Sequence, residues 1–130
     1  MVDANVILDV ATQDPVWAER SARVLAREAE RVPLVINPII FAEVSVGFER
    51  VEQLEAALPP EMFRRENLPW EAAFLAGKCF LAYRRRGGTK TSTLPDFYIG
   101  AHAALAGYRL LTRDAARYRT YFPGLDILVP

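Results

Sequence analysis

The sequence predicts an α/β fold in which a mostly parallel central sheet of about five strands is flanked by helices. Three observations carry that prediction. Strand-like and helix-like segments alternate along the whole 130-residue chain. Pro33-Leu34-Val35-Ile36 is a short, uninterrupted apolar run, the pattern of a parallel strand covered on both faces. The length suits one compact domain spanning residues 1–130, with no linker, internal repeat or low-complexity stretch.

The elements follow in order. Met1 to Val10 reads as a buried strand running into a polar turn and a short apolar helix. Asp14 then offers an N-cap and Pro15 a first helical residue. From Val16 to Arg31, Trp17, Ser21-Ala22 and Val24-Leu25 line one side while Glu19, Arg20, Arg23, Arg27 and Arg31 solvate the other, which predicts an amphipathic helix. After the Pro33–Ile36 strand, Asn37-Pro38 repeats the cap-plus-proline signal and opens a helix through Phe41, Val44 and Phe48. Arg50 to Leu58 forms another, stopped by Pro59-Pro60. Met62 to Leu68, polar in its middle, suits a strand at a sheet edge.

Pro69 opens a long helix to Arg86, ended by Gly87-Gly88. Thr89 to Thr93 is a polar loop. The next helix carries Pro95 and Asp96 in its first turn, continues through Phe97, Ile99, Ala101, Ala104 and Leu105, and closes at Gly107. Its small residues predict close packing. Tyr108 to Thr112 is a strand, Arg113-Asp114 a turn, and Leu125 to Val129 a final strand.

Composition excludes several classes. Apolar residues are 52% and charged residues 25%, with sixteen basic balanced by sixteen acidic, so no global field recruits nucleic acid or anionic lipid. Cys79 has no intrachain partner and His102 is the only histidine, which removes a disulfide scaffold and a His/Cys zinc site. No apolar run has membrane-spanning length and no basic-then-apolar signal segment opens the chain, so the expected location is the cytoplasm.

In open α/β sheets ligands bind outside the carboxyl ends of the strands. Asp3 ends the first strand, Glu43 lies in the helix after the second, Asp96 opens the helix before the fourth, and Asp114 follows that strand directly. Singly, each has an ordinary explanation: a turn residue, a solvated helix position, a helix-dipole partner, an N-cap. Together on one rim they would repel unless cations neutralised them. An oxygen-only donor set suits Mg²⁺ or Mn²⁺, whose chemistry is phosphodiester hydrolysis. Asn5, Thr112 and Asp9 are close enough in sequence to serve as auxiliary or supporting groups.

These residues carry a family resemblance. Val2-Asp3-Ala4-Asn5-Val6-Ile7-Leu8-Asp9, Ala42-Glu43-Val44, the run from Leu94 through Asp96 to Ala103, and Leu110-Leu111-Thr112-Arg113-Asp114 together resemble PIN-domain ribonucleases, specifically VapC-type toxins of bacterial toxin–antitoxin pairs. The resemblance covers essentially the full length, with Val51 to Leu68 least distinctive. It implies that Asp3, Glu43, Asp96 and Asp114 are the acidic metal-site residues, with Thr112 the hydroxyl that accompanies the last of them. It implies a Mg²⁺- or Mn²⁺-dependent endoribonuclease acting on RNA, often tRNA or ribosomal RNA, homodimeric and neutralised by a VapB-type antitoxin. Members usually carry several apolar residues before the first aspartate, whereas only Met1 and Val2 precede Asp3 here. The first strand is therefore expected to be short, and the native start to lie upstream.

Other features yield less. The cluster Arg84-Arg85-Arg86 with Lys90 fits either RNA phosphates or a helix C-terminus. Gly88-Thr89-Lys90-Thr91 lacks the earlier glycine of a phosphate loop, and Glu43 stands where a nucleophile elbow around Val44-Ser45-Val46-Gly47 needs glycine. His102 is expected to be a structural hydrogen-bonder, Cys79 a core residue, and Trp17 and Trp70 core or dimer contacts. A phosphoacceptor receiver domain would need a lysine after the fifth strand, and the chain ends at Val129-Pro130. The alternative to an active nuclease is a catalytically silent PIN-like domain that binds RNA or a protein partner.

Overall fold

The computed structural model describes all 130 residues. Its elements are α1 (Ala4–Ala11), α2 (Ala18–Ala29), β1 (Leu34–Ile36), α3 (Pro38–Ser45), α4 (Val51–Ala57), β2 (Phe63–Arg65), α5 (Trp70–Arg85), α6 (Pro95–Ala106), β3 (Leu110–Leu111), α7 (Ala115–Tyr121) and β4 (Ile127–Leu128). No helix is long and apolar enough to cross a membrane.

The strands form two parallel pairs. Leu34, Val35 and Ile36 of β1 lie opposite Phe63, Arg64 and Arg65 of β2, and Leu110 and Leu111 of β3 lie opposite Ile127 and Leu128 of β4. Val2 joins them. Its amide donates to the Val35 carbonyl at 3.0 Å, and it makes an isolated parallel bridge to Leu111. The Leu111 amide donates to the Met1 carbonyl and the Asp3 amide to the Leu111 carbonyl, each at 2.9 Å. The order is thus β2, β1, Val2, β3, β4. All five expected extended segments are present, the first as a single bridged residue, Val2.

Local chemistry sets most helix boundaries where the sequence placed them. The Asn37 carboxamide oxygen accepts from the Ile40 amide at 3.0 Å, with Pro38 at the first helical position of α3. Gly107 ends α6 in the left-handed region at φ 69°, which glycine adopts without a Cβ penalty. Asp14 Oδ1 accepts from the Val16 and Trp17 amides at 2.8 and 2.9 Å, which closes the turn Pro15–Trp17, but α2 begins only at Ala18 with Trp17 as its N-cap, so Asp14 is not the helix cap nor Pro15 its first residue. The α3 helix stops at Ser45, short of the expected Phe48.

One element departs from the sequence reading. Between the Arg113-Asp114 turn and the last strand lies α7, which the sequence reading passed over. Its signal was present: Ala115, Tyr118 and Phe122 are buried at helical spacing.

The core is continuous around the seam, with Val2, Val6, Ile36, Ile40, Val44, Phe97, Ile99 and Leu110 all buried. A Cβ on Gly100 would come within 2.3 Å of the Phe122 ring, so only glycine lets α6 approach the end of α7 this closely. Cys79 is a free, buried thiol. Trp70, expected in the core or at a dimer contact, is 89% exposed and therefore no part of this core.

Asn37 also closes the interior. Its carboxamide oxygen is committed to Ile40, so its amide group donates to His102 Nδ1 at 3.1 Å, and the Nε2–H of His102 faces Glu66 Oε2 at 3.4 Å. His102 is the structural hydrogen-bonder the sequence led us to expect. Replacing Asn37 with alanine removes the α3 cap and strands a buried imidazole nitrogen, so Asn37→Ala should lose about 2–4 kcal/mol of stability. Urea denaturation should show a lower midpoint at an unchanged slope.

Candidate active site

Most of the site residues are delivered by the ends of elements. Asp3 leaves the Val2 seam as N-cap of α1, Thr112 follows β3, and Asp114 is N-cap of α7. Glu43 projects from the second turn of α3, and Asp96 from the first turn of α6. Neither Asp3 nor Asp114 makes a side-chain capping bond, so their carboxylates are not spent on the helices they begin.

All four acids line one pocket of about 320 Å³, with Ala4, Asn5, Leu8 and Val46 completing its wall. A network fixes the first of them. Asp3 Oδ2 accepts from Thr112 Oγ1 at 2.7 Å, Asn5 Nδ2 at 3.0 Å and the Tyr118 hydroxyl at 3.2 Å. Thr112 Oγ1 in turn accepts from the Asp114 amide at 3.1 Å, and Asn5 Oδ1 accepts from the Arg113 amide at 3.2 Å. The start of α1 and the loop carrying Asp114 are therefore one hydrogen-bonded unit.

Burial and mutual repulsion set the electrostatics. Glu43 is pushed up to about 7, by desolvation first and then by the charges of Asp3 and Asp96. Asp3 is raised by burial, an effect that its bond from Thr112 opposes and the Asp96 charge reinforces. The Tyr118 hydroxyl is held far above the ordinary phenol range by burial and by the Asp3 and Asp96 charges, so it stays a neutral donor. Asp96 has its own cation, Arg117 Nη1 at 2.5 Å.

The donor set fits a hard divalent cation: carboxylates converging on one pocket, two of them with protonation favoured by burial and by the charges of neighbouring carboxylates. No three of the acids stand close enough in this conformation to chelate one ion together. Asp3, Glu43, Asp96 and Asp114 are thus gathered around one pocket without forming a chelating cluster.

Asp9, expected as an auxiliary group, lies elsewhere. It is buried, accepting from Ser21 Oγ at 2.6 Å and facing Arg113 Nη2 at 3.3 Å. Asp9 braces the Arg113 side chain, whose guanidinium also covers the Trp17 ring at 5.4 Å. Arg84 donates to the carbonyls of Gly88 and Lys90, which is the helix-end role for that residue. Tyr118 and Arg117 were missed with α7 itself, though both stand one turn beyond Asp114, where a helix begun by that residue would aim them back at its neighbours.

The raised carboxyls have a consequence for pH. A group with a folded-state pKa above its unfolded value binds its proton more tightly when folded, so its stabilising effect is complete below the unfolded pKa and is lost as pH rises through the folded one. For Glu43 that window runs from 4.5 to about 7. In EDTA, the stability of Glu43→Gln relative to wild type should therefore rise across this window. Thermal melts at pH 5 and pH 7.5 check it, and a constant difference between the two proteins contradicts the assignment.

No curated protein matches the sequence. Among solved structures, the chain is similar to one in VapBC2 from Rickettsia felis bound to a promoter DNA fragment, with 18% identity, a TM-score of 0.75, and coverage of 100% of this chain and 97% of that one. It is similar to a chain of VapBC-1 from nontypeable Haemophilus influenzae at 19% identity and TM-score 0.72, covering 99% and 96% of the two chains. FitAcB from Neisseria gonorrhoeae gives 19%, 0.66, and coverage of 98% and 94%. At these identities the likeness establishes the fold. The sequence pattern of the PIN domain matches residues 1–123. This chain belongs to the PIN-domain family.

Proposed function

We propose that this protein is a divalent-metal-dependent endoribonuclease, a VapC-type toxin restrained by a VapB-type antitoxin. PIN domains are generally nucleases, which sets the reaction class. The observation that carries the reading is the meeting of Asp3, Glu43, Asp96 and Asp114, from four separate segments, in one pocket at the carboxyl ends of parallel strands.

In this reading Asp3, Asp96 and Asp114 hold Mg²⁺ or Mn²⁺. The bound ion supplies Lewis-acid polarisation of the phosphate and acidifies water. Glu43 is the acid for which burial and the charges of Asp3 and Asp96 raise the carboxyl to about 7. A carboxylate brought to about 7 suits a group that orients water and takes its proton, while remaining able to join the ion. Thr112 donates to Asp3 and so fixes the direction in which that carboxylate presents its charge. Tyr118 donates to the same Asp3 oxygen.

The substrate class is RNA, with tRNA or ribosomal RNA the expected target, and the site of action the cytoplasm. The similar VapBC structures from Rickettsia felis and Haemophilus influenzae are toxin–antitoxin complexes, which supports a VapB-type partner. A homodimer accords with the resemblance and with the apolar side chains that α5 leaves in water, Trp70 at 89% and Phe74 at 69% exposure.

Cleavage of end-labelled tRNA and ribosomal RNA by the purified protein, with Mg²⁺, Mn²⁺ or EDTA, tests the proposal. The wild type should make discrete metal-dependent cuts, and Asp96→Asn should reduce them about a hundredfold or more while keeping side-chain size. Equal cleavage by both proteins would place the activity elsewhere. No cleavage by either would favour the silent, binding-only domain.

A further inference from the structure

Arg117 has a role that the four-acid site does not by itself require. Of the four carboxylates in the pocket, Asp96 alone has a cationic partner, the Arg117 guanidinium. The two neighbours of that guanidinium on α7 are fixed. Asp114 is anchored through its amide to Thr112, and Tyr118 is buried with its hydroxyl on Asp3. The helix therefore cannot turn or slide without breaking the site. Arg117 differs: its side chain is 45% exposed, so a rigid helix carries a movable charge. A guanidinium does not release its proton in any ordinary range, so Arg117 remains a cation beside Asp96.

We propose that Arg117 is an internal counter-ion that occupies Asp96 when no metal is bound and must yield that carboxylate to the incoming divalent cation. This rests on the metal-dependent reading above. The acids converge closely enough to repel, and one permanent positive charge among them offsets that repulsion in the absence of metal. The same charge raises the cation concentration needed to fill it. Occupancy then depends on a competition between two cations for one carboxylate, and Arg117 sets the threshold.

Mn²⁺ titration of the full chain by calorimetry, without RNA, tests the competition directly. Arg117→Gln should bind Mn²⁺ about fivefold or more tightly than wild type, within the usual size of coupling between two sites. Arg117→Lys, which restores the charge, should return most of the way to wild-type affinity. In an Asp96→Asn background, Arg117→Gln should change the affinity little, because the contested carboxylate is gone. Circular dichroism and melting curves confirm that each variant is folded.

Equal or weaker Mn²⁺ binding by Arg117→Gln would overturn the inference, since a residue that merely positions Asp96 for the metal gives that result. The same gain with and without Asp96 would overturn it too, by reducing the effect to net charge. Those outcomes leave the metal site standing. If neither wild type nor Arg117→Gln binds Mn²⁺, the metal-dependent reading falls and this inference falls with it.

Discussion

Two backbone hydrogen bonds at Val2 and Asp3 hold the molecule's two halves in register, and the site inherits its geometry from them. The Val2 amide reaches Val35 on one side, and the Asp3 amide reaches Leu111 on the other. Without this one-residue strand, β1–β2 and β3–β4 would be separate two-stranded ladders, too small to be stable on their own. The same extended stretch ends at Asp3, so the residue that completes the sheet is followed at once by the carboxylate at the centre of the pocket. Thr112, leaving the neighbouring strand in the same direction, meets that carboxylate at 2.7 Å because parallel pairing brings the two strand ends level. Sheet register and site geometry are one constraint.

The electrostatics follow from placing acids on such a rim. Carboxylates brought in from separate elements repel more strongly as the surroundings exclude water, which is why Glu43 and Asp3 both hold protons longer than they would in solvent. The fold offsets part of this with neutral donors from Thr112, Asn5 and Tyr118, and with a single guanidinium at Asp96. Hydrogen bonds stabilise one carboxylate without changing the net charge, so the pocket keeps its acidic character. An apolar or fully neutralised rim would be more stable and would lack that acidic character, a common compromise at functional sites.

Much of this was legible in the sequence, for reasons that particular residues make clear. Asn37-Pro38 and Gly107 act through chemistry local to a helix end, so reading them needs no knowledge of the fold. The four acids were legible because strand ends in a parallel sheet share one rim, which converts order along the chain into proximity. Asp9 was misplaced for the opposite reason. It stands four residues after Asn5 on α1, hence on the same face, and both residues do meet the loop after β3. One helical turn of about 5 Å carries it past the acids to the Arg113 side chain instead. Tyr118 was hidden because α7 is only 7 residues long, too brief for its periodicity to stand out beside the turn that precedes it.

Packing between α6 and α7 explains why the site holds its spacing even though the strands are so short. Asp96 opens α6, while Asp114 opens α7, and the distance between them is fixed by how these helices meet. Phe97 packs edge-on against Tyr121 with ring centroids 4.8 Å apart, and the bare backbone at Gly100 admits Phe122. Both contacts lie at the far end of α7 from Asp114, so they restrain the helix by its tail, while the Tyr118 hydroxyl restrains its middle against Asp3. A helix held at two points along its length cannot pivot about its first residue. The carboxylate at that residue is therefore positioned by apolar contacts well removed from it, and a core substitution at Gly100 reaches the rim through α7 without touching any acidic side chain.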